Sequence, residues 1–112
     1  MILEVAILDV RLAETAAFEA AFAEAEPIIM SMGGYGGHEL RRCVERENRY
    51  VLLVHWATLE DHTVGFRQSA AYLEWKRLLH HFYDPFPVVE HYTDYRSGGA
   101  RTEKGPHCGG IV

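Results

Sequence analysis

The chain lacks most of the features that assign a small protein quickly. Only two of its 112 residues are cysteine, Cys43 and Cys108, with neither CxxC spacing nor the density of a disulfide-built secreted domain. That excludes a disulfide scaffold, and a reducing cytoplasm is the expected location. No apolar run reaches the roughly 18 residues that would span a bilayer, and the opening MILEVAILDV is too short and too acidic for a signal peptide. No membrane partner is expected. Acidic residues outnumber basic ones 16 to 11, for a net charge of −5, and no basic block exceeds a pair, so nucleic acid is not an expected partner either.

What is present is an ordinary single-domain balance, 48% hydrophobic and 24% charged, in a chain long enough to bury about two-thirds of its unfolded surface. ILEVAILDV (2–10) is aliphatic and β-branched and reads as a strand. From about Ala13 the period changes: Phe18, Phe22, Ala25, Ile29 and Met32 recur every three or four residues, one face of an amphipathic helix. Pro27 falls inside that pattern and predicts a kink or a break into a second short segment, and GGYGG (33–37) ends the helix. HELRRCVE (38–45) and RYVLLVHWA (49–57) read as a hairpin joined at 46–48. Thr58 with Asp61, then Ser69, are helix caps, giving a short helix, a bend near 65–69 and a longer helix. PVVEHYTDY (87–95) is the last strand.

The order strand, helix, strand, strand, helix, strand is the split βαβ pattern: an α+β, ferredoxin-like βαββαβ sandwich with four antiparallel strands and both helices on one face. Two of the strands are apolar almost continuously, and no third layer remains in the sequence to cover the far side of the sheet. The expected cover is the sheet of a second copy, a homodimer with a barrel-like interior, the dimeric α+β barrel. The domain is expected over 1–96, followed over 97–112 by a tail holding five glycines. His107-Cys108 in that tail is only a fragment of a metal motif, and no metal site is expected.

HHFYDPFP (80–87) admits two readings. Tyr72, Trp75, Leu79 and Phe82 share one helix face, with His80 and His81 on its flanks. In the first reading the histidines cap the helix dipole and Asp84-Pro85 turns the chain. In the second, His81 or Tyr83 lines a pocket mouth walled by Phe82 and Phe86. Adjacent helical positions point about 100° apart, so the two imidazoles do not share a metal. Upstream, His62 and Phe66 lie four apart on one face, and Tyr72 opens the next helix. Either this is plain amphipathic packing with His62 exposed, or an imidazole that takes a proton near neutral pH and a phenol that donates to an oxyanion converge there. Trp75 and Phe66 are core residues or aromatic walls. His55 and His91, on strands, are core or interface residues unless they face the helix layer, where they would look into the same cleft. Arg41 and Arg42 point to opposite sheet faces.

The order of elements and the segments FEAAFAEAEPIIMSMGGYGGHEL, RYVLLVHWATLEDHTVGFRQS and YLEWKRLL-HHFYDPFPVVEHY resemble the antibiotic biosynthesis monooxygenase (ABM) family of dimeric α+β barrels over about residues 2–95. The resemblance implies a homodimer formed through the sheets, with a pocket between helices and sheet in each subunit. One branch of that family oxidises polycyclic phenols to quinones with dioxygen and no cofactor, using an amide, a tryptophan and a tyrosine. These positions become His62, Phe66 and Tyr72, of which the tyrosine matches. The implied function is a monooxygenase acting on a small or polycyclic phenolic substrate, with His62 and Tyr72 catalytic and Phe66, Trp75, His55, His81, Phe82 and Tyr83 binding the small aromatic substrate. The first alternative is a non-catalytic dimer that binds an aromatic ligand. A haem-degrading branch uses an asparagine on the first strand, which is absent here, and a tryptophan and a histidine that fall at Phe66 and Lys76. Haem binding there would require a shifted ligand, His80 or His81.

Overall fold

The computed structural model describes residues 1–99, so the segment from 100 onward, including His107-Cys108, lies outside the described residues. The strands are β1 (Ile2–Asp9), β2 (Tyr35–Arg42), β3 (Arg49–Trp56) and β4 (Val89–Thr93), and the helices are α1 (Thr15–Met30) and α2 (Ala70–Leu79). One antiparallel sheet runs in the order β2-β3-β1-β4, and α1 packs against α2. This is the expected ferredoxin-like order.

Local chemistry explains most boundaries. Of the predicted stripe, Phe18, Phe22, Ala25 and Ile29 form the buried face of α1, while Met32 lies past its end and is half-buried. The expected break at Pro27 does not occur, and α1 is one 16-residue helix. Pro27 sits in its last turn on the exposed side, as does Ala23, whose carbonyl loses the helical bond, so water can satisfy that group. Ser69 caps α2 as expected, its hydroxyl accepting from the Tyr72 amide at 3.1 Å. Two strand limits differ from expectation. β2 begins within the glycines, at Tyr35, with a register shift between Tyr35 and His38, because glycine tolerates the bulge. It ends at Arg42, so the hairpin connection spans 43–48. β4 is also shorter than 87–95.

Strand register sets which side chains meet the helices. Glu4, Ala6 and Leu8 on β1 alternate inward with Tyr50, Leu52, Val54 and Trp56 on β3, and all seven are buried. Phe18, Trp56 and Leu79 are fully buried among them; each such side chain contributes roughly 1.5–3 kcal/mol. The opposite face carries Leu3, Val5 and Ile7 beside Val51, Leu53 and His55, all half-buried or exposed in the single chain. His55 therefore points away from the helix layer: it pairs with Leu3 and stands between the buried Val54 and Trp56.

Candidate functional site

Between the helices and the sheet lies a cavity of about 360 Å³, at the lower end of the range usual for small-molecule sites. Its floor is the inward face of β1 and β3, with Glu4, Ala6, Leu8 and Leu52. Phe66, Trp75, Phe86 and Val89 form apolar walls, and the polar groups reaching it are His62, Arg67, Tyr72, His80 and Tyr83.

His62 is brought there by a reciprocal cap and an irregular helical turn. The Asp61 amide donates to Thr58 Oγ1 and the Thr58 amide to Asp61 Oδ2, each at 3.1 Å. Gly34, at φ +81°, lies so close to Asp61 that any Cβ there would collide with its carboxylate. The chain then winds as a π-helix over Asp61–Phe66, a form often found at functional sites. Both His62 and Phe66 are thereby buried, at 3% and 2% exposure, so the reading of His62 as an exposed packing residue does not hold.

Around His62 four polar groups form one cluster. The imidazole stacks on Trp56 with ring centroids 5.4 Å apart and planes 16° from parallel. Trp56 Nε1 donates to Glu4 Oε1 at 2.9 Å, and His62 Nε2 lies 3.4 Å from the same oxygen. His62 Nδ1 is 2.7 Å from His91 Nε2, so one proton is shared between the two rings. Burial, with the positive charge of Arg67 and then His91 adding to it, pushes the His62 pKa down to about 3. This corrects the expectation of a histidine that takes up a proton near neutral pH. The 3.4 Å contact with Glu4 is an ion-pair distance, but at neutral pH the ring is uncharged and the pair is an imidazole beside a carboxyl group. Burial also lowers the His91 pKa and raises that of Glu4.

On the α2 side of the cavity Tyr72 OH lies 3.4 Å from His80 Nε2, and its ring meets Phe66 edge-on at 5.1 Å. Burial raises the phenol's pKa, so Tyr72 keeps its proton and can donate it in a hydrogen bond. Tyr83 is raised further, again by burial.

Of the eight residues singled out in the sequence, the structure gathers His62, Phe66, Tyr72, Trp75 and Tyr83 around the cavity. His55 is on the other sheet face, since its neighbours in the alternation are the buried ones. His81 is exposed, its ring tilted against Phe82 and its carbonyl accepting from Arg11. Phe82 packs against Phe18 in the core and does not line the cavity. The short 3₁₀ turn at His80–Phe82 explains the exchange, because it rotates His80 inward and His81 outward. Glu4, His80 and Arg67 were missed. An acid within the apolar run of β1 was the available signal for Glu4, since a buried carboxyl needs a partner.

The cluster does not resemble a metal centre. Among the described residues no three His, Cys, Asp or Glu side chains are placed to hold an ion, and Glu4, His62 and His91 direct their facing atoms at one another. The haem-ligand position, Lys76, is exposed and outside the cavity, as is His81, while His80 faces the Tyr72 hydroxyl. These residues do not fit a haem site of the expected arrangement.

Comparison with known proteins bears on the whole domain. Residues 1–78 match the family model described as antibiotic biosynthesis monooxygenase. The uncharacterized protein YczJ of Bacillus subtilis (strain 168) is 53% identical over 94 residues, which cover 84% of this chain and 99% of YczJ. A crystal structure from Bordetella bronchiseptica, provisionally named an antibiotic biosynthesis monooxygenase, superposes with a TM-score of 0.81 at 38% identity, covering 85% of this chain and 97% of that one. SnoaB, a cofactor-independent oxygenase from Streptomyces nogalater, has the same fold at a TM-score of 0.65 and 23% identity, with 86% and 94% covered. With the βαββαβ sandwich, the family match and these relatives agreeing, the chain belongs to the antibiotic biosynthesis monooxygenase family.

Proposed function

We propose that the protein is a cofactor-independent monooxygenase that converts a small phenol with an open para carbon to a quinone. The observation that carries this reading is one aromatic-walled cavity, open on one side, lined by a proton-holding tyrosine, Tyr72, and by the Glu4–His62 pair. The substrate's hydroxyl proton leaves toward the Glu4–His62 pair, and Tyr72, which also faces Glu4, orients the same oxygen. The phenolate passes electrons to dioxygen, the para carbon gains one oxygen atom, and the other leaves as water with the two hydrogens the phenol has lost. Electrons come from the substrate, so the reaction calls for no flavin or metal. The buried rings of Phe66 and Trp75 limit water around the reactive anion.

The outer face of the sheet, with Leu3, Val5, Val51 and Leu53, is the surface through which two copies pair. Sedimentation of the wild type as a dimer and of Leu53→Glu as a monomer is the expected result. The activity is tested by oxygen uptake of the metal-stripped protein with 1-naphthol and 9-anthrol, against protein-free controls for autoxidation. Uptake matched by quinone absorbance, and lost in Tyr72→Phe, supports the reading. The low basicity of His62 favours a second reading, a dimer that binds an aromatic ligand without turnover; phenols that bind with no oxygen uptake would select it.

A further inference from the structure

Proton removal is the step that the cavity leaves without an evident acceptor. His62 resists charging, and Tyr72 and Tyr83 hold their protons. His80 also lines the cavity, but its Nε2 faces the Tyr72 hydroxyl at 3.4 Å and burial lowers its basicity; Glu4, on the cavity floor, is the remaining acid–base group. Its two carboxyl oxygens are used differently. Oε1 accepts from Trp56 Nε1 at 2.9 Å and lies 3.4 Å from His62 Nε2. Oε2 has no hydrogen-bond partner among the described residues, and since no buried side-chain oxygen is left unpartnered, Oε2 retains contact with the open space of the cavity.

The groups behind Glu4 fix its direction. His91 stands directly across from it in the β1–β4 register, and the His91–His62 bond at 2.7 Å sets which His62 nitrogen faces Oε1. With His91 Nε2–H donating to His62 Nδ1, the His62 proton sits on Nε2, the nitrogen 3.4 Å from Oε1. The titratable and charged groups facing Glu4 are thus His62 from the π-helical turn, His91 from β4, Arg67 beyond that turn and Tyr72 from α2, while β3 contributes the Trp56 N–H.

We propose that Glu4 is the catalytic base of this site, taking the substrate's hydroxyl proton on Oε2 while Trp56, His62 and His91 hold its other oxygen in place. This rests on the phenol-oxidising reading above. In the step the substrate O–H bond breaks, the Oε2–H bond forms and a phenolate remains in the cavity. When the O–O bond of the dioxygen adduct later breaks, the departing oxygen takes back the Glu4 proton and the para hydrogen and leaves as water, restoring the carboxylate. Burial raises the Glu4 pKa toward that of the phenol it must deprotonate, in the direction an effective base requires.

Two measurements on the full chain separate this assignment from the functional reading. The first uses no oxygen chemistry: 4-nitrophenol, whose phenolate absorbs at longer wavelength, is titrated into the protein at a pH about one unit below its own ionisation. The expected result is phenolate absorbance on binding to wild type and its loss with the isosteric Glu4→Gln, which keeps an acceptor for Trp56. A neutral phenol at saturation in the wild type overturns the assignment. The second is oxygen uptake with 1-naphthol, where Glu4→Gln should lower kcat about a hundredfold at little changed KM, and Glu4→Asp should recover part of it. Wild-type kcat in Glu4→Gln overturns the assignment. Glu4-dependent ionisation of 4-nitrophenol without oxygen uptake from any phenol would instead remove the monooxygenase reading and leave Glu4 as the proton acceptor.

Discussion

Two histidine clusters in this molecule look alike on paper and differ in what surrounds them. In the first, at the junction of α1 and β2, His38 Nε2 is 2.7 Å from Glu26 Oε2 and His38 Nδ1 is 2.6 Å from Tyr35 OH. In the second, His62 has the longer 3.4 Å contact to Glu4 and the 2.7 Å bond to His91. Judged by hydrogen bonds alone, the carboxylate–imidazole–phenol row at His38 is the better candidate for chemistry. Yet neither His38 nor Tyr35 lines the cavity, and Glu26 stands on the outside of α1, its side chain 39% exposed. That row ties a helix to a strand. Glu4 and His62 have looser bonds but open onto a cavity with aromatic walls. Access to a cavity, more than the closeness of polar contacts, separates a site from a brace.

The comparison can be broken most directly by activity. His62→Ala should lower oxygen uptake with 1-naphthol about a hundredfold, while His38→Ala leaves the turnover of folded protein unchanged. Equal losses in both would mean that the two clusters are not distinct in kind.

Acid should sharpen the contrast. His62 has its pKa lowered to about 3 in the folded chain, from 6.5 when unfolded. Between those values the unfolded state binds the proton that the folded state refuses, so stability falls as pH drops below 6.5. The slope from this one group is up to about 1.4 kcal/mol per pH unit. Glu4 acts in the opposite sense, because a raised folded pKa means that its contribution is lost as pH rises. Urea unfolding at several pH values should therefore show a flatter acid limb in His62→Gln than in wild type. An unchanged limb would mean that His62 is protonated in the folded protein.

The smallest effect concerns the brace. Tyr35→Phe removes one hydrogen bond to a half-buried imidazole and should cost about 0.5–1.5 kcal/mol in urea unfolding, without altering kcat. Tyr72→Phe should do the reverse, losing turnover with little change in stability.

Which parts of this were legible in the sequence follows from range. The stripe Phe18, Phe22, Ala25, Ile29 and the caps Thr58–Asp61 and Ser69 are local patterns, with periods and offsets contained within one element, and all were read correctly. Pro27 misled because its effect depends on whether the freed carbonyl meets water, which the pattern around it does not state. At HHFYDPFP the sequence located a site wall but chose His81 over His80, since a single 3₁₀ turn decides which ring faces inward. Sheet faces were illegible for a similar reason. One residue of register sends His91 toward His62 and His55 away from it, and both histidines sit in apolar surroundings that look the same in one dimension.

Sequence by itself determined the element order and the βαββαβ architecture, because periodicity and capping are properties of neighbouring residues, while the family and five of the cavity-lining side chains came from the resemblance of whole segments. Only the tertiary structure decided that Glu4, His62, His91 and Trp56 form one cluster. They come from β1, the π-helical turn, β4 and β3, and what unites them is strand pairing plus the packing of that turn on the sheet, with side-chain bonds across 29 and 52 residues of chain. Burial within that packing, a quantity no single segment carries, is what pushes His62 down and Glu4 up and so separates their chemical roles.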